Sequence, residues 1–140
     1  IRELNLSSKV SIISNVSSKQ LQIYYDSSDI FCLASNQKSE AFGVVLLEAM
    51  SHSLPIVACE IEGSGVPWVN AHGETGINVP VNDPKSIANA IQDIIQDEQI
   101  YSKYSKQSFA RYDTHFRKQS MMQKNFIPAL IWRILLLPFL

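Results

Sequence analysis

Glu48 sits in the run Gly43-Val44-Val45-Leu46-Leu47-Glu48-Ala49-Met50, which is otherwise nearly all apolar. A helix of that composition is buried on most sides, and a carboxylate within it is costly unless something compensates it. Either Glu48 faces water or pairs with a cation, or it accepts hydrogen bonds from the hydroxyl groups of a bound molecule. The polar loop ahead of it, residues 35–43, ends at the helix start. Unpaired backbone N–H groups and the macrodipole make such a terminus a place for an anion, typically phosphate. Gly43 has no Cβ, so an anion can approach the backbone closely. Glu40 stands just outside the helix, and two carboxylates therefore flank a phosphate-sized site. A ligand with phosphate in the middle and hydroxyl-rich groups on either side is a nucleotide-sugar.

The remaining chemistry-bearing residues form no such pattern. No His, Cys, Asp and Glu cluster has metal-ligand spacing. Neither a P-loop nor a G-x-S-x-G pattern is present. His52 reads as a helix C-terminal cation or a surface residue, and His72 and His115 are isolated. Trp68 either packs under its loop or stacks on a sugar.

Positioning these groups requires a particular order of elements. Short apolar runs alternate with helical patterns, the signature of βαβ units and a parallel sheet. Strands are predicted at residues 10–13, 30–34, 55–59 and 77–79. The second is continuously apolar, as expected where both sheet faces are covered. Ser17 with Gln20 predicts a capping box for a helix over residues 19–25, presenting Leu21, Tyr24 and Tyr25 to a core. A second helix is predicted over residues 44–52. Asp83-Pro84 predicts a third, with Ile87, Ile91, Ile94 and Ile95 on one buried face. A further helix is expected over residues 99–111, and Thr114 is a candidate cap for a last one. In a parallel sheet, ligands bind at the carboxyl ends of strands, where the loop over residues 35–43 lies.

The 140 residues are 46% hydrophobic and 18% charged, with a formal charge of -1. This length predicts one domain with a core of its own. The composition excludes a disordered chain, and the charge lacks the basic footprint of a nucleic-acid binder. Cys32 and Cys59 read as small buried apolar residues of a reducing compartment. No signal-peptide pattern is present at Ile1, where a helix-like stretch over residues 1–6 opens the chain. A cytoplasmic location follows as the expectation, and the chain reads as a piece of something longer.

Glu40-Ala-Phe-Gly-Val-Val-Leu-Leu-Glu48 resembles the Glu, seven residues, Glu motif of the retaining GT-B glycosyltransferases of group 1. Tyr24-Tyr25-Asp26-Ser27-Ser28-Asp29-Ile30-Phe31 is similar to the family's "Y-x-x-A-D-hydrophobic" entry into a strand. Glu48-Ala49-Met50-Ser51-His52-Ser53-Leu54-Pro55-Ile56-Val57 is similar to its "E-A-M-A-x-G-x-P-V-V" segment, with Ser53 where the helix C-terminal Gly usually stands. Thr75-Gly76-Ile77-Asn78-Val79-Pro80 with Asp83-Pro84 resembles its "T-G-hydrophobic-x-V-x-x-x-D-P" segment. The resemblance covers about residues 6–97. Residues 63–69, Gly-Ser-Gly-Val-Pro-Trp-Val, replace the commoner "G-G-x-x-E" loop and resemble bacterial polysaccharide-assembly members.

The resemblance implies an α/β fold: a Rossmann-like parallel sheet with helices on both faces, here a partial C-terminal domain of a GT-B fold over residues 1–124. It implies a nucleotide-diphosphate-sugar donor and transfer of the sugar with retention of configuration. Glu40 would contact the donor sugar near its reacting carbon. Backbone N–H groups around Phe42, Gly43 and Val44 would hold the diphosphate, Glu48 would take the ribose hydroxyls, and Asn15 and Val16 would lie near the base. Catalysis would be mainly electrostatic, with no cofactor and no obligatory metal. The acceptor, a sugar or lipid-linked sugar, would be bound by a missing N-terminal domain. The opening of the donor domain, with its diphosphate-gripping cations, would be missing too, and Lys38 is the only cation in the matching loop.

Residues 125–140 depart from the family, being apolar but interrupted by Arg133 and two prolines and too short to span a bilayer. They read as a helix packed on the missing domain, as a peripheral anchor at the inner membrane face, or as aberrant sequence. Two other functions compete with transfer: a non-catalytic module that binds a nucleotide-sugar or a partner, and a nucleotide-sugar epimerase. The Glu pair and its surroundings fit the transferases better than the epimerases.

Overall fold

The computed structural model describes residue 1, residues 3–37 and residues 42–117. The elements follow in the order α1 (Ser18–Asp26), β1 (Phe31–Leu33), α2 (Val44–Ser51), β2 (Ile56–Glu60), α3 (Val66–Val69), β3 (Gly76–Pro80), α4 (Pro84–Gln96) and α5 (Glu98–Arg111). A π-helical turn, Tyr112–Phe116, continues α5. Local chemistry sets several of these boundaries. The Ser17 hydroxyl accepts from the Gln20 N–H, and the Gln20 side chain accepts from the Ser17 N–H, closing the capping box at α1. Asp83 caps α4 by accepting from the Ser86 N–H, with Pro84 at the first helical position.

Among the described residues the strands form one parallel sheet in the order β1-β2-β3. Phe31 aligns with Ile56, and Ile56 with Gly76. Gly76 admits no side chain, because a Cβ there would lie 1.8 Å from the Ile56 carbonyl oxygen. Alternation along β2 divides the core in two. Ile56 and Ala58 join Leu46 and Met50 of α2, Val66 and Val69 of α3, and Phe116. Val57 and Cys59 join Val79 of β3, Ala90 and Ile94 of α4, and Tyr104 of α5. The sheet is thus covered by helices on both faces, and the α/β, Rossmann-like expectation holds. Helix α5 crosses from one side to the other: Ile100, Tyr101 and Tyr104 pack in the α4 core, while Tyr112 and Phe116 reach the α2 core. At this crossing the buried Ser108 hydroxyl donates to the Thr75 carbonyl at 3.1 Å.

Several expectations are corrected. Residues 10–13 form no strand; Val10, Ile12 and Ile13 are exposed, and no described strand pairs with them. A strand needs a partner as well as an apolar pattern. Residues 3–5 form a turn rather than a helix. Cys32 is exposed, because α4 covers β2 and β3 but leaves that face of β1 open; Cys59 is buried as expected. Tyr24 and Ile95 point to solvent, while their neighbours Tyr25 and Ile94 are buried. Helix α2 exposes Val44 and Val45 and buries Leu46, Ala49 and Met50, so it is less enclosed than its composition predicts. The short α3 lies in a stretch read as loop, and Thr114 lies within the π-helical turn rather than at a helix start. Residues 125–140 lie outside the described residues.

Candidate functional site

The loop after β1 meets α2 at Gly43, which has φ +69° and is buried. A Cβ there would stand 2.9 Å from Leu46 Cδ1 and 3.3 Å from Val66 Cγ2. The left-handed backbone therefore favours glycine, and a Cβ would also push the Leu46 side chain aside. No side chain caps α2, and the Gly43 carbonyl accepts from the Leu46 N–H at 2.8 Å. The first N–H groups of the helix are left pointing along its axis out of the N-terminal end with no capping side chain, the arrangement that receives an anion. Val44, the first residue of the helix, is exposed.

An aromatic cluster fixes the entry to this helix. Phe42 lies 6.0 Å from the Trp68 ring and 6.3 Å from Phe116, and Trp68 meets Phe116 edge-on at 5.1 Å. Trp68 is 49% exposed, so it packs beside the loop rather than under it. Arg111 holds α3 from the other side: Nε donates to the Val69 carbonyl at 3.0 Å, Nη2 to that of Trp68, and the guanidinium lies over the Trp68 ring. Burial pushes the Arg111 pKa down, with Glu74 opposing, though a guanidinium stays charged at any ordinary pH.

Glu48 lies one turn beyond Val44 on the same stripe of α2. It is half-buried, and neither ion pair found among the described residues includes it. Its Oε2 accepts instead from the Tyr25 hydroxyl at 2.9 Å. Tyr25 is buried, stacked on His52 with centroids 5.3 Å apart. His52 is in turn bonded through Nδ1 to Asp26 at 2.6 Å and through Nε2 to Gln22 at 2.8 Å. It is the C-cap of α2, its side chain mostly enclosed rather than on the surface. From the sequence Tyr25 reads as a core residue and as part of the strand-entry motif, and neither discloses its hydrogen bond to Glu48. The sole signal was the position of Tyr25 next to the strand entry, which gives no pairing.

Phe42, Gly43, Val44 and Glu48 thus share one helix and the residue before its cap. Glu40 and Lys38 lie outside the described residues. Asn15 has φ +55° and is exposed, Val16 is half-buried, and no hydrogen bond or ring contact among the described residues joins either to α2. Among the described residues no group of three or more His, Cys, Asp or Glu could hold a metal ion. No helix among them is long and apolar enough to cross a membrane.

The sequence model of the family "Glycosyl transferases group 1" matches residues 1–111. The chain belongs to this family. As a group 1 glycosyltransferase chain, it is 31% identical over 88 residues to the O-antigen chain mannosyltransferase C of Escherichia coli, covering 63% of this chain and 24% of that protein. Sucrose-phosphate synthase from Thermosynechococcus elongatus superposes with a TM-score of 0.78 at 26% identity, over 96% of this chain and 32% of its own. HepE of Anabaena, solved in complex with UDP, superposes with a TM-score of 0.76 at 24% identity, over 96% and 34%. The chain therefore spans about a quarter to a third of the length of these relatives. Its fold is that of the Rossmann-like C-terminal domain of a GT-B glycosyltransferase, as the motifs imply.

Proposed function

We propose that this chain supplies the donor-binding part of a glycosyltransferase that moves a sugar from a nucleotide-diphosphate-sugar to an acceptor with retention of configuration, in polysaccharide or glycoconjugate assembly. The observation that carries the reading is Glu48: a half-buried carboxylate without a cation among the described residues, one turn from an uncapped helix N-terminus at Gly43. The backbone N–H groups around Phe42, Gly43 and Val44 receive the diphosphate, aided by the helix dipole. Glu48 accepts from the ribose hydroxyls, and Glu40 meets the donor sugar near its reacting carbon. As the bond to the diphosphate breaks, negative charge grows on the leaving group, and fixed N–H dipoles stabilise it without reorganising. Asn15 and Val16 stand near the base in this reading. In this reading residues 1–124 are the donor unit and residues 125–140 an apolar tail.

UDP-sugars and GDP-sugars titrated calorimetrically into the chain test the binding step. In the whole protein, Glu40→Ala is expected to collapse sugar transfer, and full activity in that variant would overturn the assignment. Nucleotide-sugar binding by a whole protein with no turnover on any acceptor would favour the alternative, a non-catalytic binding module.

A further inference from the structure

We propose that Tyr25 is a positioning residue for donor recognition, its hydroxyl fixing the Glu48 carboxylate so that the remaining oxygen faces the ribose. This rests on the ribose role given to Glu48 above. A glutamate on a helix has three rotatable torsions, and an undirected carboxylate loses that freedom only when it binds. Here the Tyr25 hydroxyl already holds Oε2 at 2.9 Å. The tyrosine is itself held: His52 stacks on one side of its ring at 5.3 Å, Phe31 lies at 6.0 Å, and Ala49 and Leu54 pack around it. His52 is anchored to Asp26 and Gln22 of α1. A chain of contacts thus runs from α1 through a rigid ring to one carboxylate oxygen on α2.

The choice of donor matters. An arginine at this place would occupy both carboxylate oxygens in a bidentate fork and neutralise the charge. A phenol gives one hydrogen bond, leaves Oε1 and the negative charge available, and still fixes the rotamer. Burial, followed by the hydrogen bond and charge of Glu48, pushes the Tyr25 pKa up, so the hydroxyl keeps its proton throughout the ordinary pH range. The carboxylate is thereby preorganised for a pair of hydroxyl groups, the chemistry of a ribose 2′,3′-diol.

The test uses the full 140-residue chain, with UDP, GDP and their 2′-deoxy forms titrated calorimetrically into wild type, Tyr25→Phe, Glu48→Gln and the double variant. Tyr25→Phe keeps the ring and its packing. It is expected to weaken ribonucleotide binding by about 5- to 10-fold, the worth of one hydrogen bond. The preference for the ribo over the 2′-deoxy nucleotide should shrink in Tyr25→Phe and vanish in Glu48→Gln. The double variant should bind no worse than Glu48→Gln, since both changes act through one group. The ribo-to-deoxy ratio does not depend on the folded fraction, so general destabilisation cannot mimic this result. An unchanged ratio in Tyr25→Phe, with the ratio lost in Glu48→Gln, overturns the role of Tyr25 and leaves the donor site standing. No preference for ribose in wild type overturns both.

Discussion

The Asp83 carboxylate accepts from the Ser86 hydroxyl at 2.6 Å and the Ser86 N–H at 3.0 Å. These bonds, the hydroxyl first, hold its pKa below the usual carboxylate value. The unfolded chain then binds more protons than the folded one between the two pKa values, so stability rises with pH across that window. The contribution is present above the unfolded value of about 3.9 and is lost as pH falls through the folded one. Asp83→Asn should therefore be less stable than wild type at pH 7, and the difference should close in strong acid. Urea unfolding at several pH values checks this, and a gap of constant size would contradict the account. Tyr25 has the opposite sign. Its raised pKa makes the folded chain the better proton binder in alkali, so its contribution is present at neutral pH and fades as pH climbs past that of a free phenol.

The end of α2 closes in a Schellman arrangement: the Ser53 N–H donates to the Met50 carbonyl at 3.0 Å and the Leu54 N–H to that of Ala49 at 3.2 Å. This turn needs a left-handed residue, and Ser53 supplies it at φ +61°. A Cβ in that region costs roughly 1 kcal/mol, which glycine avoids. Ser53→Gly should thus raise stability by about 0.5–1 kcal/mol, the greater freedom of glycine in the unfolded chain offsetting part of the gain. Denaturant unfolding reads the change, and a less stable variant would show that the Ser53 side chain matters in a way the backbone does not reveal. The position was legible in the sequence because the family has glycine there. So were the caps at Ser17 and Asp83, since each depends on residues within one turn. Residues 10–13 carry a strand pattern yet form no strand, because strand formation depends on a partner, which no local pattern discloses. The sequence does not separate Ile94 from Ile95 for a related reason: the width of a buried stripe is set by what covers it.

Long-range contacts account for what the sequence left hidden, and they tie the site to the rest of the molecule. Gly43 and Glu48 could be placed on one helix by reading along the chain, but the bond from Tyr25 to Glu48 joins residues 23 positions apart. The crossing of α5 is of the same kind. Its last residues and the π-helical turn bring Phe116, 5% exposed, against Leu46, Met50, Phe42 and Trp68. Phe116 therefore supports both the α2 core and the aromatic wall in front of the candidate diphosphate site. Phe116→Ala should cost about 3–4 kcal/mol through the cavity it leaves. Ile94→Ala, in the opposite core formed with α4, should cost a similar amount, about 3 kcal/mol. The two variants should differ in where they loosen the fold. Hydrogen exchange at the Leu46 amide, which closes the first turn of α2 on Gly43, should quicken more in Phe116→Ala than in Ile94→Ala at matched global stability. UDP affinity should fall with it, because an anion site made of backbone N–H groups is only as well organised as the turn that carries them. Equal exchange at Leu46 in the two variants would mean that the wall adds stability to the whole fold without ordering the entry to α2.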